Sequence, residues 1–295
     1  MLITMPESKT YLPGPGRCIY CVSNPANPQP LVTCPPRYYR EHIIPDKLSG
    51  RLILHQAVGK PCETLINQQI ETPSLTRMLI TPRTLLSMKT SSPKTTIRVG
   101  RPNGQPNLPG VNLDGDFDFG EEQTSDHELI ILLPRFARPG LLRGRNTSEP
   151  FTLYKPESYF SPSYIDDPNA PDNFAVQFSV NYEILGRFIA KIAHSAAVAE
   201  FGMDAFTPWL PDIIMNRSPY ISHLIGSSSK RGRRADSLHR ISFFLEQGYL
   251  VAVVQLFARY GMRAFHAVVG PASGALTNLS TWTSNSPRMR SMTPA

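Results

Sequence analysis

The chain has 295 residues, 29 of them proline, with 41% hydrophobic residues and 30 basic against 23 acidic side chains, a net charge of +7. That length suits about two domains of 100–200 residues, and the proline excess argues for long connections in place of one continuous core. There is no apolar run of about 18 residues, so a membrane-spanning helix is not expected, whereas the basic balance favours a polyanionic partner such as nucleic acid.

The opening "MLITMPESKTYLPGPG" has neither a charged n-region nor an apolar h-region, so it does not read as a signal peptide and a cytoplasmic setting is expected. The cysteines Cys18, Cys21, Cys34 and Cys62 all fall in the first quarter of the chain. In a reducing compartment such crowding reads as metal binding before disulfides. "CIYC" is a C-x2-C knuckle, which sets two thiolates on one turn at the spacing a tetrahedral zinc requires. Residues 12–75 are read as one small module, too poor in core to stand without a structural metal. Inside it, Glu41-His42 precedes a short β run, Ile43-Ile44, that Pro45 closes. Histidine is the natural base near neutral pH, and a carboxylate beside it can position a cation. Adjacent residues of a strand point to opposite faces, so the pair serves one site only where the strand bends or ends.

Residues 76–173 read as a proline-rich connection, with one convincing strand at Glu128–Phe136. Residues 174–270 are regular again. "FAVQFSV", Phe174–Val180, alternates like a strand. After it Leu185, Phe188, Ile189, Ile192, Ala196 and Ala199 form one apolar stripe of a helix, with Asn181 as N-cap and Gly202 as stop. The opposite face carries Arg187, Lys191 and His194; it has the spacing to grip phosphates but is read as solvated. Lys230, Arg231, Arg233 and Arg234 cluster in a Ser/Gly-rich loop, either a nucleic-acid contact or a plain surface segment. Three apolar runs, broken at "EQG" and "RYGM", then read as an antiparallel meander packed on the helix. Residues 271–295 read as a flexible tail. The remaining histidines, His127, His194, His223, His239 and His266, are read as structural or solvated.

The string "CIYC…REHIIPDKLSGRLIL…AVGKPCETLINQQIE", over about residues 15–75, resembles the HNH endonuclease family, in its zinc-knuckle group from bacteria and phages. A looser similarity to the regions attached to such modules continues at "RFIAKIAHSAAVAEFG" and "VVQLFARYGMRAFHAVVG". The resemblance implies a small N-terminal ββα-metal finger; with the C-terminal antiparallel sheet and packed helix read from the residues above, an α+β protein is expected. The resemblance also implies His42 as general base and Glu41 as the acidic neighbour of a catalytic Mg²⁺ or other divalent cation. A helix residue completes that site, with Glu63 and Asn67 as candidates and Asn67 taken as the catalytic one. Cys18, Cys21 and Cys62 match three of four ligands of a structural Zn²⁺. The chain departs from the pattern at Gly59, where the fourth cysteine belongs, at Arg51, where the middle Asn belongs, and at His55, where proline is common. Cys34, His55 or water remain for the fourth zinc position. The expected function is metal-dependent hydrolysis of phosphodiesters, of DNA first and RNA second. The alternative is an HNH-derived module that has lost catalysis and binds nucleic acid or protein. No P-loop, Rossmann glycine fingerprint or G-x-S-x-G is present to support nucleotide-driven or esterase chemistry.

Overall fold

In "REHIIPDKLSGRLIL" a proline and a Ser-Gly pair separate two β-prone runs, and the chain reverses there. The computed structural model describes residues 2–4, 8–21, 34–88, 96–102, 117–123, 130–145, 153–160, 175–176 and 181–276. Strand β1 (Leu2–Thr4) belongs to the large sheet described below. Strands β2 (Thr10–Leu12), β3 (Tyr38–His42) and β4 (Leu52–Gly59) form a three-stranded sheet in the order β2-β4-β3. In it β2 runs parallel and β3 antiparallel to β4. After β3, Pro45 leads into a single 3-10 turn, Asp46–Leu48. Ser49 follows in the left-handed conformation, and Gly50 lies so close to the Ile44 carbonyl that a Cβ would stand 1.8 Å from its oxygen. Only glycine fits that approach.

Strand β4 runs directly into helix α1 (Lys60–Ile66), with Gly59 as N-cap and Pro61 in the first turn, where its missing N–H costs nothing. The helix then widens into π-type turns at Asn67–Glu71 and Ser74–Met78 before a last helical segment, Ile80–Leu85. β3, β4 and α1 make the expected ββα arrangement. The connecting region holds more strands than its composition predicts. Strands β5 (Thr96–Pro102) and β6 (Phe117–Gln123) pair, with β9 (Ala175–Val176) on the other edge of β5, while β7 (Ile130–Phe136) pairs β8 (Leu153–Phe160). Of the strand expected at Phe174–Val180, only β9 lies within the described residues.

The C-terminal sheet has the order β1-β11-β12-β13-β10, every pair antiparallel, with β10 at Ile225–Ser227, β11 at Arg240–Glu246, β12 at Tyr249–Gln255 and β13 at Phe265–Pro271. The expected meander is its centre. A two-residue turn at Gln247-Gly248, both with positive φ, joins β11 to β12. The helix Tyr182–Phe201 packs on this sheet. Asn181 caps it by accepting a 3.0 Å hydrogen bond from the Ile184 N–H, and Gly202, at φ 78°, stops it.

Two sequence expectations change. The helix face expected to be solvated is covered: Lys191 and His194 are fully buried because the ββα unit packs there. One apolar cluster also runs from Ile19, Ile44 and Ile66 through Phe188 and Ile192 to Val251 and Val268, so finger and sheet share a continuous core.

Candidate functional site

The four cysteines arrive from three places. Cys18 and Cys21 flank a turn tied to β4 by the Ile19 N–H, which donates to the Ala57 carbonyl at 2.9 Å. Cys34 leads into β3, and Cys62 stands in the first turn of α1. Their sulfurs all lie within 4.8 Å of one another, with Cys21–Cys62 at 3.4 Å and Cys34–Cys62 at 3.5 Å. A tetrahedral zinc with Zn–S bonds of about 2.3 Å spaces its sulfurs about 3.8 Å apart, so the cluster has the dimensions of a structural metal site. These are free thiols, not disulfides. Crowding redistributes their protons: hydrogen bonds from Cys21 and then Cys62 stabilise the Cys18 thiolate and lower its pKa, and the same contact raises Cys62.

The fourth position is filled by Cys34. A Cβ placed on Gly59 would stand 2.2 Å from the Cys34 sulfur, so the sulfur occupies the corner from which a side chain at 59 would reach. His55 points elsewhere, its exposed ring 4.9 Å from that of Tyr11.

The hairpin and the helical run that follows α1 border a cleft of about 220 Å³ lined by His42, Pro45, Asp46, Lys47, Asn67, Glu71, Thr72 and Leu75. His42 and Asn67 therefore meet at one pocket. Glu63 does not join them; it pairs with Lys60 at 3.0 Å. Glu71 was missed by sequence reasoning, although N-x3-E on a helical run places it one turn beyond Asn67 on the same side. The His42 Nδ1 is buried and makes no hydrogen bond. Burial, and then the nearby positive charge of Lys191, lower its pKa and keep the ring neutral.

Glu41 lies on the other face of β3. Its buried carboxylate meets the ammonium of Lys191 at 2.6 Å, and Glu71 meets the same ammonium at 2.9 Å. Lys191 also donates to the main-chain oxygen of His42, and to that of Ile43 at 3.5 Å. Burial pushes the Glu41 carboxyl up to about 7 against the pull of Lys191. For Lys191 burial acts downward, but Glu41 and Glu71 outweigh it and raise the ammonium above its ordinary value. Beside this group Tyr20 and Ser195 share a 2.8 Å hydrogen bond, and His194 bonds the Ile19 carbonyl at 2.9 Å. The long helix thus holds both the knuckle and the carboxylates.

Two surfaces are basic. Lys230, Arg231, Arg233 and Arg234 are exposed on the loop between β10 and β11. That loop is anchored, because Ser228 Oγ donates to the Lys230 carbonyl at 2.8 Å and Gln255 Nε2 to the Arg233 carbonyl at 3.0 Å. The second surface lies on the small sheet and was not anticipated. Arg40 stacks over Tyr11 at 5.2 Å, and Arg37 and Lys60 stand 5.6 and 5.8 Å from the ring of Tyr39. No family model, curated protein or solved structure matches the chain.

Proposed function

We propose that the chain is an HNH-type endonuclease acting on nucleic acid, with His42 as its general base. The observation that carries this reading is the cleft in which a neutral His42, at the end of β3, faces Asn67 and Glu71 from the helix that the cysteine cluster ties to the hairpin. A neutral imidazole that lines the cleft can take the proton of a water molecule as that water attacks phosphorus. The four cysteines would hold Zn²⁺, which cross-links α1, the knuckle and the segment before β3 and so fixes His42 against Asn67. DNA is the favoured substrate and RNA the second. The anchored basic loop supplies phosphate neutralisation, and the Tyr11–Arg40 and Tyr39–Lys60 surface supplies rings on which bases stack. A cytoplasmic setting suits the reading, because four free thiols stay reduced there; no helix among the described residues is long and apolar enough to cross a membrane.

A catalytic divalent cation fits less well. Glu41, the carboxylate expected to bind it, is committed to Lys191. The same contact favours the alternative, a module that binds nucleic acid without cutting it. Plasmid nicking by the purified protein with Mg²⁺, Mn²⁺, Ni²⁺ or EDTA, beside His42→Ala, separates the two. The endonuclease reading expects a loss of about 100-fold or more in the variant. Equal traces in both proteins mean contamination. No cleavage by either, with salt-sensitive binding retained, establishes the binding module.

A further inference from the structure

Lys191 has no counterpart in the nuclease pattern. It comes from the middle of the long helix, 149 residues beyond His42, and its ammonium is fully buried. Among the described residues, every group within hydrogen-bonding distance of that ammonium is an oxygen of the elements that frame the cleft: Glu41 and Glu71 carboxylates at 2.6 and 2.9 Å, and the main-chain oxygens of His42 and Ile43. An all-oxygen shell with two carboxylates is the donor set of a hard divalent cation.

We propose that Lys191 is the resident cation of this site: its ammonium holds the position between Glu41 and Glu71, and the two carboxylates accept a divalent ion only when that ammonium is removed or displaced. The catalytic meaning of the inference rests on the endonuclease reading, whereas the occupancy itself does not. The contacts leave no room for a second cation between the same oxygens, and two positive charges at that separation repel strongly in a buried setting. Without the ammonium, two buried carboxylates face each other uncompensated, an arrangement that demands either protons or a metal. A purely structural ion pair would also be destabilised by loss of Lys191, but it would not be repaired by a metal.

The test uses the zinc-loaded protein, so that the cysteine cluster is saturated, and Mn²⁺ as the probe. Binding is followed by electron paramagnetic resonance of free Mn²⁺ and by thermal unfolding, for the wild type, Lys191→Met and Lys191→Gln. The expected result is little binding to the wild type, and one equivalent bound by the variants about tenfold more tightly or better, the gain from replacing a fixed ammonium by a doubly charged ion. Their unfolding temperature should fall in EDTA and rise again with Mn²⁺, and adding Glu71→Gln should abolish that gain. Equal Mn²⁺ affinity in wild type and variants overturns the proposal. So do variants that neither bind Mn²⁺ nor regain stability or folding in it. Neither readout depends on cleavage. Mn²⁺ capture by Lys191→Met with no nicking by the wild type leaves this inference standing and removes the endonuclease reading; His42-dependent nicking without the capture does the reverse.

Discussion

Cys34 and Gly59 are best understood together. The resemblance leaves the fourth zinc ligand open because the cysteine that the pattern puts three residues before Cys62 is Gly59. Folding brings Cys34 to that corner from 25 positions earlier, which no local spacing reveals, and the glycine is needed because the sulfur leaves no room for a Cβ. Cys34→Ala should therefore weaken zinc binding by more than the roughly ten- to 100-fold that loss of a mere hydrogen-bonding neighbour of a ligand costs. Cys34→Ala combined with Gly59→Cys should recover most of that loss, measured by competition with a chromophoric chelator. Gly59→Ala alone should weaken it, since the added methyl displaces the Cys34 sulfur. His42 has a pH signature of its own. Its pKa lies below the ordinary 6.5, and a base works once deprotonated. On the proposed endonuclease reading, cleavage should therefore rise with pH along a limb centred below pH 6.5 and level off above it, in initial rates measured at constant ionic strength.

Secondary elements were legible where a short-range code writes them. The 3- and 4-residue apolar spacing, Asn181 and Gly202 mark the long helix, and "EQG" marks the β11–β12 turn. Asn181→Ala should cost about 1 kcal/mol in urea unfolding, the usual worth of such a cap. β5, β6 and β8 escaped notice because glycine, proline or clustered charge interrupts their alternation, in "TIRVGRP", "FDFGEEQ" and "LYKPESYF". The surroundings of the helix were not legible either. Lys191 and His194 read as part of a solvated face because their cover comes from more than 140 residues earlier in the chain. His42, and Asn67 as one of two helix candidates, were implied by the family resemblance, while the places of Glu71 and Lys191 required the tertiary fold.

At the scale of the whole molecule, a single core encloses polar groups that water would otherwise serve. His239, bonded to the Leu48 carbonyl at 2.8 Å, and His266 are both buried, and burial brings each down to about 4. Unfolding returns them to about 6.5, so the unfolded chain binds more protons between those values and the fold loses stability as pH falls through that window. Each histidine contributes about 1.4 kcal/mol per pH unit once the solution is well below 6.5. The urea midpoint should fall steadily from pH 7 to pH 5, and His239→Gln should flatten that dependence if the variant keeps the Leu48 contact.

The antiparallel pairing of β1 with β11 also governs the order in which the protein can be built. Leu2–Thr4 find their partners only when Arg240–Ser242 have been synthesised, and Glu41 waits almost as long for Lys191. A ribosome adding about 5–20 residues per second leaves the emerging finger for on the order of ten seconds or more with its carboxylates exposed and its apolar face uncovered. During that interval its cysteines, all within the first 62 residues, are already available to capture a metal. The knuckle would then serve as a provisional clasp, holding the hairpin against α1 until the long helix arrives to close the core.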